Sequence, residues 1–373
     1  MHVAVCADGI YPAEVGGVQR HTRLLVEHIA KRHPDVRVTV VHSHPEHRFF
    51  AGCSSVREVP VASRPGRRTY VLECWELSGR IAAELRKIPD AVIYSQGIAV
   101  LQSAGEFRRR LVVNPHGLES LQAPTIKERL LATPFRMAIK HAMRSASHVV
   151  SLGGSLSDII RSCVPADRIV ILPNGVVMPA GAVTRTARRH GPLRVLYVGR
   201  FASNKGIPDL IAAARMLSHG DARDQFRFDL VGEGPLLESL RGSTDLQTVT
   251  FHGKVDDAGL ERLYASADVF VLPTLFEGMP TVVLEAMSRG LPILVTDVGA
   301  TTELVDSSNG RIIPKNDPRA ISAALQHMQG MDRDALLSLG QASIRKVLDR
   351  FTWDRVADAH VDLFRRMASG QSE

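Results

Sequence analysis

Short runs of apolar, often β-branched residues alternate along the whole chain with longer stretches whose apolar positions recur every three to four residues. HVAVCA, VRVTVV, AVIYS, RLVVN, HVVSL and RIVIL come before residue 175, and LRVLYVG, FRFDLVG, VTFHG, DVFVLP and PILVT follow residue 192. Runs this continuous belong to strands buried on both faces, and strands that alternate with helices build parallel sheets. The pattern predicts the α/β class, with two doubly wound, Rossmann-like domains. Between the two sets, Pro173-Asn174-Gly175 and MPAGAVTRTARRHGP carry turn, small and charged residues without an apolar period. The expected division is a first domain over 1–178, a linker over 179–192 and a second domain over 193–352. A last helical segment, about 353–369, has no strand after it and is expected to pack back on the first domain.

Length agrees with this division, because 373 residues exceed one comfortable core. No apolar run approaches the roughly 18 residues of a membrane span. MHVAVCADG has neither a basic nor a long apolar leader segment, so a cytoplasmic protein is expected, in reach of the inner face of the plasma membrane. Cys6, Cys53, Cys74 and Cys163 include no C-x-x-C pair and fit plain thiols in a reducing compartment. Net charge is +7, and residues 1–180 hold 23 Lys+Arg against 15 Asp+Glu, so the basic excess lies in the first half. That asymmetry suits an anionic partner such as a phospholipid surface, a lipid-linked phosphate or nucleic acid, or else a solvated basic face. Nucleic acid is disfavoured, because aromatic content is 5% and no basic-aromatic interleaving occurs.

Chemistry in doubly wound domains collects where strand carboxyl ends feed loops and helix N-termini. After the first strand, GIYPAEVGGVQRH places Gly16-Gly17 just before a helix, where absent side chains let backbone N–H groups approach an anion; a plain turn is equally open. After LRVLYVG come Arg200, at the strand end, and Lys205, at the mouth of the helix IPDLIAAARML. The spacing is not that of a triphosphate P-loop. A forked guanidinium and a point-charge ammonium can still clamp a diphosphate and stabilise the charge it gains on leaving. Lysine is scarce, 8 residues against 38 arginines, so a lysine at this position is informative. VGEGPLLESL offers Gly232 and Gly234 but has Leu237 where a dinucleotide fingerprint needs its last glycine. A tight turn, or a close approach of backbone to a nucleotide base, remains.

VLPTLFEGMPTVVLEAM sets Glu277 and Glu285 around a Gly-Met-Pro turn. Asp268 to Pro273 is expected as a strand, residues 275–278 as its loop and Pro280 as the first helical residue. The two glutamate backbones are then on the order of 10 Å apart, too far for a shared-proton dyad, and no third metal ligand is near in sequence. Free N–H groups at the helix start can bind sugar or phosphate oxygens, while each carboxylate accepts hydroxyl protons from a different part of a long ligand.

E-G-x-P-x-x-x-x-E, with Phe276 ahead and GLPILVTDVGATTELV behind, resembles the E-x7-E signature of the retaining nucleotide-sugar glycosyltransferases of family 4, which have the GT-B fold. Further matches stand in the family's order: Gly16-Gly17, Pro115-His116-Gly117, PNGV at 173–176, Gly199-Arg200 with Lys205-Gly206, VGEGP and HGKV at 252–255. The chain departs from the family after HVVSL, where Ser151 is followed by Leu152-Gly153-Gly154-Ser155 and not by Glu. The resemblance implies two domains facing a central cleft, acceptor-binding first and donor-binding second. It implies that Arg200 and Lys205, beside Gly199, hold the donor diphosphate, with Gly16 and Gly17 closing over it. Glu277 would contact donor-sugar hydroxyls with the N–H groups of Gly278 and Met279 ahead of Pro280. Glu285 would bind the ribose, His116 would touch the sugar near its reactive carbon, and the base would lie near Gly232 and the Lys254-Val255 backbone.

The implied activity is retaining transfer of a hexose or related sugar from a UDP- or GDP-sugar to a hydroxyl of a sugar or lipid-linked acceptor, in bacterial envelope polysaccharide, lipopolysaccharide or glycolipid synthesis. His116, Arg200, Lys205 and Glu277 are the expected catalytic residues, with no cofactor beyond the nucleotide-sugar co-substrate and no metal. Asp332-Arg333-Asp334 matches a metal-binding D-x-D formally, but it opens a late helix and is expected to cap it. Two alternatives are a non-hydrolysing nucleotide-sugar epimerase, which shares the architecture, and a non-catalytic nucleic-acid-binding protein. The His42 to His47 run HSHPEH fits no standard metal spacing and is expected as a loop near the acceptor. Residues 126–146 combine apolar positions with Lys127, Arg129, Arg136, Lys140 and Arg144, either as helices covering the first sheet or as a peripheral anchor on anionic membrane.

Overall fold

A computed structural model describes the chain except for residues 15, 46, 47, 62–69, 123–125, 182–190, 220–223, 245 and 371–373. The expected linker lies largely outside the described residues. The chain divides into two compact units, one of Met1–Gly175 with Trp353–Glu373 and one of Val176–Thr352.

The first unit is built on seven strands: β1 (His2–Cys6), β2 (Arg37–His42), β3 (Val56–Pro60), β4 (Val92–Gln96), β5 (Leu111–Asn114), β6 (His148–Ser151) and β7 (Ile169–Ile171). They lie in the order β3-β2-β1-β4-β5-β6-β7, and every pairing is parallel. The order reverses direction between β1 and β4, so their loops leave opposite faces and open a crevice at the carboxyl edge. Leu25, Val26 and Ile29 of the helix Gly17–Arg32 meet Trp353, Val356, Val361 and Phe364 of the helix Trp353–Ala368 in one core with β1, β2 and β4. Burial on this scale is worth ~1.5–3 kcal/mol per large side chain. The ion pairs along the same helix contact, Arg32–Asp358 at 2.7 Å and His28–Asp354 at 2.8 Å, are partly exposed, where solvent screening leaves little net stabilisation. Apolar packing therefore fixes the last helix on this unit.

The second unit holds β8 (Leu193–Val198), β9 (Phe226–Val231), β10 (Val249–Gly253), β11 (Val269–Leu272), β12 (Ile293–Thr296) and β13 (Gly310–Ile313), again all parallel, in the order β10-β9-β8-β11-β12-β13. Its reversal point lies between β8 and β11. The unit begins and ends side by side, Val176 bridging to Thr352 and its N–H donating to the Phe351 carbonyl at 2.8 Å. Two strands have no counterpart in the apolar runs of the sequence, β3 and β13. Both are edge strands, only partly buried, so neither needs the continuous apolar run that marks an inner strand.

Candidate functional site

The reversal point of the second unit is where a doubly wound sheet offers a ligand crevice, and the residues singled out there meet. The loop leaving β8 and the loop leaving β11 are tied together through backbone: the Leu275 N–H donates to the Asn204 carbonyl at 2.8 Å, and the Thr274 hydroxyl donates to the same oxygen at 3.1 Å. Gly206 sits at φ 66, and a β-carbon there would overlap the Pro273 carbonyl, so only glycine allows the two loops to approach this closely. Across that seam the Lys205 ammonium donates to Glu277 Oε1 at 2.5 Å, with side chains 22% and 16% exposed. Arg200 is exposed at the mouth of the same loop, its carbonyl accepting from the Tyr197 hydroxyl at 3.1 Å.

Past Glu277 the chain enters the helix Thr281–Ser288. Pro280 is the residue that caps this helix, and the first helical residue is Thr281; the extended backbone of Pro280, ψ 114, keeps it outside the helix proper. The turn is held from behind by Gly299, at φ 54 against the Glu277 and Gly278 carbonyls, and by the Ala300 N–H donating to the Gly278 carbonyl at 2.8 Å. Glu285, just over one turn into the helix, accepts from the Tyr264 hydroxyl at 3.3 Å. Burial, then the charge of Glu285, pushes the Tyr264 phenol well above its ordinary range, so it remains a donor. The Arg289 guanidinium lies 4.8 Å from the Tyr264 ring centroid, pairs with Glu261 and donates to the Glu285 carbonyl at 2.9 Å.

The adjoining strand ends close the other side of the crevice. Gly232, φ 135, packs so tightly on the Gly199 carbonyl that a β-carbon would overlap it, and it donates its N–H to the Gly253 carbonyl at 2.8 Å. Gly199, Gly232 and the Lys254-Val255 backbone thus share one edge of β8, β9 and β10, with Lys254 exposed. Gly199, Arg200, Lys205, Gly232, Lys254, Val255, Glu277, Gly278, Met279, Pro280 and Glu285 all fall at the carboxyl end of this sheet.

Gly16, Gly17 and His116 belong to the first unit. Gly16 caps the helix Gly17–Arg32 in extended conformation, and the space a β-carbon on Gly17 would occupy is open. Neither backbone angle nor packing therefore dictates glycine at position 17. One turn into that helix, His21 lies edge-on to His116, ring centroids 5.2 Å apart. His116 follows β5 with φ 57 and Leu118 with φ 52, two non-glycine residues in the left-handed region within three positions. Such pairs cost of order 1 kcal/mol per residue and collect at functional sites. Burial, then the neighbouring His360, holds the His116 imidazole down to about 4, so it is neutral at pH 7.

Other motifs resolve differently. Asp332 caps the helix Arg333–Lys346, its carboxylate accepting from the Asp334 N–H at 3.3 Å. His42 ends β2 fully buried, 3.5 Å from Glu58, and Glu46 and His47 lie outside the described residues. Residues 126–146 form two helices, Ile126–Leu131 and Thr133–Ser145; Ala138, Ile139, Ala142 and Met143 are buried, while Leu130, Leu131 and Met137 are 69%, 74% and 68% exposed. The Gly153-Gly154 departure supplies φ values of 100 and 54 at the start of the helix Ser155–Arg161. Sequence reasoning missed Tyr264, Asn204 and Thr274, and in the first unit Tyr94, Asn114 and His360. Each also has a partner distant in sequence, Asn114 bonding Tyr94 across 20 positions and Thr274 bonding Asn204 across 70, and no local spacing announces it.

Residues 15–178 match the family model described as Glycosyltransferase Family 4, and residues 192–329 match Glycosyl transferases group 1. The chain is 26% identical over 269 residues to a putative colanic acid biosynthesis glycosyltransferase of Salmonella typhimurium, covering 68% of this chain and 63% of that protein. It is 32% identical over 223 residues to the alpha-D-kanosaminyltransferase of Streptomyces kanamyceticus, covering 55% and 57%. The chain thus spans less than two thirds of the length of these curated relatives. Among solved structures, a sucrose-phosphate synthase of Thermosynechococcus elongatus superposes with a TM-score of 0.78 at 21% identity, over 99% of this chain and 100% of that one. The Anabaena protein HepE, solved with UDP, superposes at 0.72 and 18%, over 98% and 100%. The two parallel-sheet units are those of the GT-B fold.

Proposed function

The chain belongs to the family 4 glycosyltransferases with the GT-B fold, and from that premise we propose that it moves a hexose or related sugar from a nucleoside-diphosphate sugar to a hydroxyl acceptor, with retention and without a metal. The observation that carries this reading is the Lys205–Glu277 pair at the reversal point of the second unit. One side chain suits a diphosphate and the other the hydroxyls of a sugar attached to it, and a diphosphate-linked sugar needs both within one side-chain length. In this reading Arg200 and Lys205 take the charge that develops on the leaving diphosphate. Glu277 and the N–H groups of Gly278 and Met279 orient the sugar, Glu285 reads the ribose, and the Gly232 and Lys254-Val255 backbone accommodates the base. His116 touches the transferred sugar as a neutral imidazole.

The bond from the anomeric carbon to the diphosphate oxygen breaks through an oxocarbenium-like state as the acceptor oxygen bonds on the same face. The acceptor proton passes to the departing phosphate oxygen, so no protein nucleophile is used. Glycosyltransferases for colanic acid, teichuronic acid and lipopolysaccharide core stand among the similar proteins, and they support an acceptor in envelope polysaccharide or glycolipid synthesis. The helices of 126–146 support peripheral contact with anionic membrane, because they carry exposed Leu130, Leu131 and Met137 together with Lys127, Lys140 and Arg144, and residues 129–157 contain no acidic side chain. Among the described residues no helix is long and apolar enough to cross a membrane.

A panel of UDP- and GDP-sugars, scored for thermal shift and slow donor hydrolysis, tests the assignment. A nucleotide sugar at 100 times its dissociation constant stabilises by ~2.7 kcal/mol. If no nucleoside diphosphate shifts the melting temperature and no donor is hydrolysed, the donor site is misassigned. Salt-sensitive cosedimentation with phosphatidylglycerol vesicles, lost on Leu131→Asp, tests the membrane contact.

A further inference from the structure

In the first unit a run of buried polar side chains leads from the last helix to the His116 loop, and the donor-site assignment uses none of it. His360 is fully buried on the helix Trp353–Ala368. Its Nδ1–H donates to the Val356 carbonyl at 2.7 Å, which leaves Nε2 as an acceptor. Tyr94 of β4, also fully buried, lies with its hydroxyl 3.0 Å from that nitrogen and spends its one proton there. The Tyr94 oxygen then accepts from Asn114 Nδ2 at 2.9 Å. This turns the Asn114 carbonyl oxygen toward His116, whose backbone N–H donates to it at 3.0 Å.

Each donor choice forces the next, so the chain runs one way, from the His116 N–H to the Val356 carbonyl. Buried chains of this kind polarise in sequence and are costly to leave half satisfied. They also explain how a histidine stays at φ 57, since its N–H is held by a residue whose own orientation is fixed from behind. Beside it, His116 Nε2 lies 2.6 Å from Gln96 Oε1, which assigns the ring proton to Nε2 and leaves the Nδ1 lone pair for another group. Gln96 Nε2 is buried and makes no hydrogen bond among the described residues, a donor suited to a ligand oxygen.

We propose that Asn114, Tyr94 and His360 are positioning residues for the transfer reaction, holding His116 in the left-handed backbone state that presents its imidazole to substrate, with the last helix as anchor. This rests on the glycosyltransferase reading, in which His116 meets the sugar. Tyr94→Phe keeps the ring and removes the one oxygen that joins Asn114 to His360. The expected result is a kcat lowered about tenfold, nucleoside-diphosphate affinity within twofold of wild type, and shifted His116 ring signals in a 15N-histidine NMR spectrum. Val361→Ala, buried in the same helix contact but outside the chain of bonds, serves as the stability control and keeps kcat within twofold. A folded Tyr94→Phe protein with wild-type kcat overturns the proposal, as does an equal loss of kcat in Val361→Ala. Should Tyr94→Phe fail to fold, the wild-type spectrum at pH 7 decides: protons on His360 Nδ1 and His116 Nε2 are expected, and the opposite tautomer at His360 overturns the chain. A wild-type protein that turns over no nucleotide sugar defeats the functional reading itself, a result separate from any of these.

Discussion

Lys205 and Glu277 illustrate how little of a site is a matter of single residues. In the pair, each side chain satisfies the other's charge at 2.5 Å while 22% and 16% of the two side chains stay exposed. Removing either strips the other, itself partly buried, of that counter-charge, so their effects on turnover should fall short of additive. Lys205→Ala is expected to lower kcat about 100-fold and to weaken nucleoside-diphosphate binding about tenfold. Glu277→Gln should lower kcat on the order of tenfold to 100-fold while calorimetry finds nucleoside-diphosphate affinity within twofold of wild type, because the proposed role of the carboxylate is toward the sugar and not the diphosphate. Equal loss of diphosphate affinity in both variants would reverse the division of labour between them. The type and place of both residues were legible in the sequence, since each ends or follows an apolar strand run. Their contact was not, because 72 residues of chain separate them.

Among the elements, glycines separate architecture from ligand room. Gly206→Ala meets both a left-handed backbone and the Pro273 carbonyl, and chemical denaturation should find it destabilised on the order of 3 kcal/mol. Gly17→Ala meets open space at a helix start and should leave stability within about 0.5 kcal/mol of wild type or raise it. If that open space is where donor phosphate approaches, the same methyl raises the donor KM severalfold; an unchanged KM would return Gly17 to a plain turn. The inner strands could be read directly from their apolar runs, because burial on both faces leaves a continuous signal. The edge strands β3 and β13 could not, since Val56–Pro60 and Gly310–Ile313 carry partly exposed and punctuating residues that mimic loops. Helix ends were legible to about one residue, as the shift from Pro280 to Thr281 shows.

For the molecule as a whole, the fully buried His360 and the partly buried His116 set a pH dependence. Burial holds His360 down to about 4, and His116 is held there too, against 6.5 in the unfolded chain. Between those values the unfolded state binds protons that the folded state refuses, so stability falls as pH falls from about 6.5 toward 4 and is insensitive to these groups above 6.5. Each contributes roughly 1.4 kcal/mol per pH unit inside that window. His360→Gln should flatten the decline between about pH 6.5 and 5 by about 2 kcal/mol, measured by denaturant titration at each pH. A wild-type stability flat from pH 7 to 5 would mean that neither histidine is held neutral by the fold.

The first unit closes only when Trp353–Ala368 docks against Gly17–Arg32, a contact that ties Arg32 to Asp358 across 326 positions. A ribosome completes the second unit, Val176–Thr352, before it releases the segment that completes the first. The nascent chain therefore carries an exposed apolar groove lined by Leu25, Val26 and Ile29 through most of its synthesis. Birth order and sequence order disagree: the domain translated first is finished last, and its groove is where a holding chaperone would find its grip.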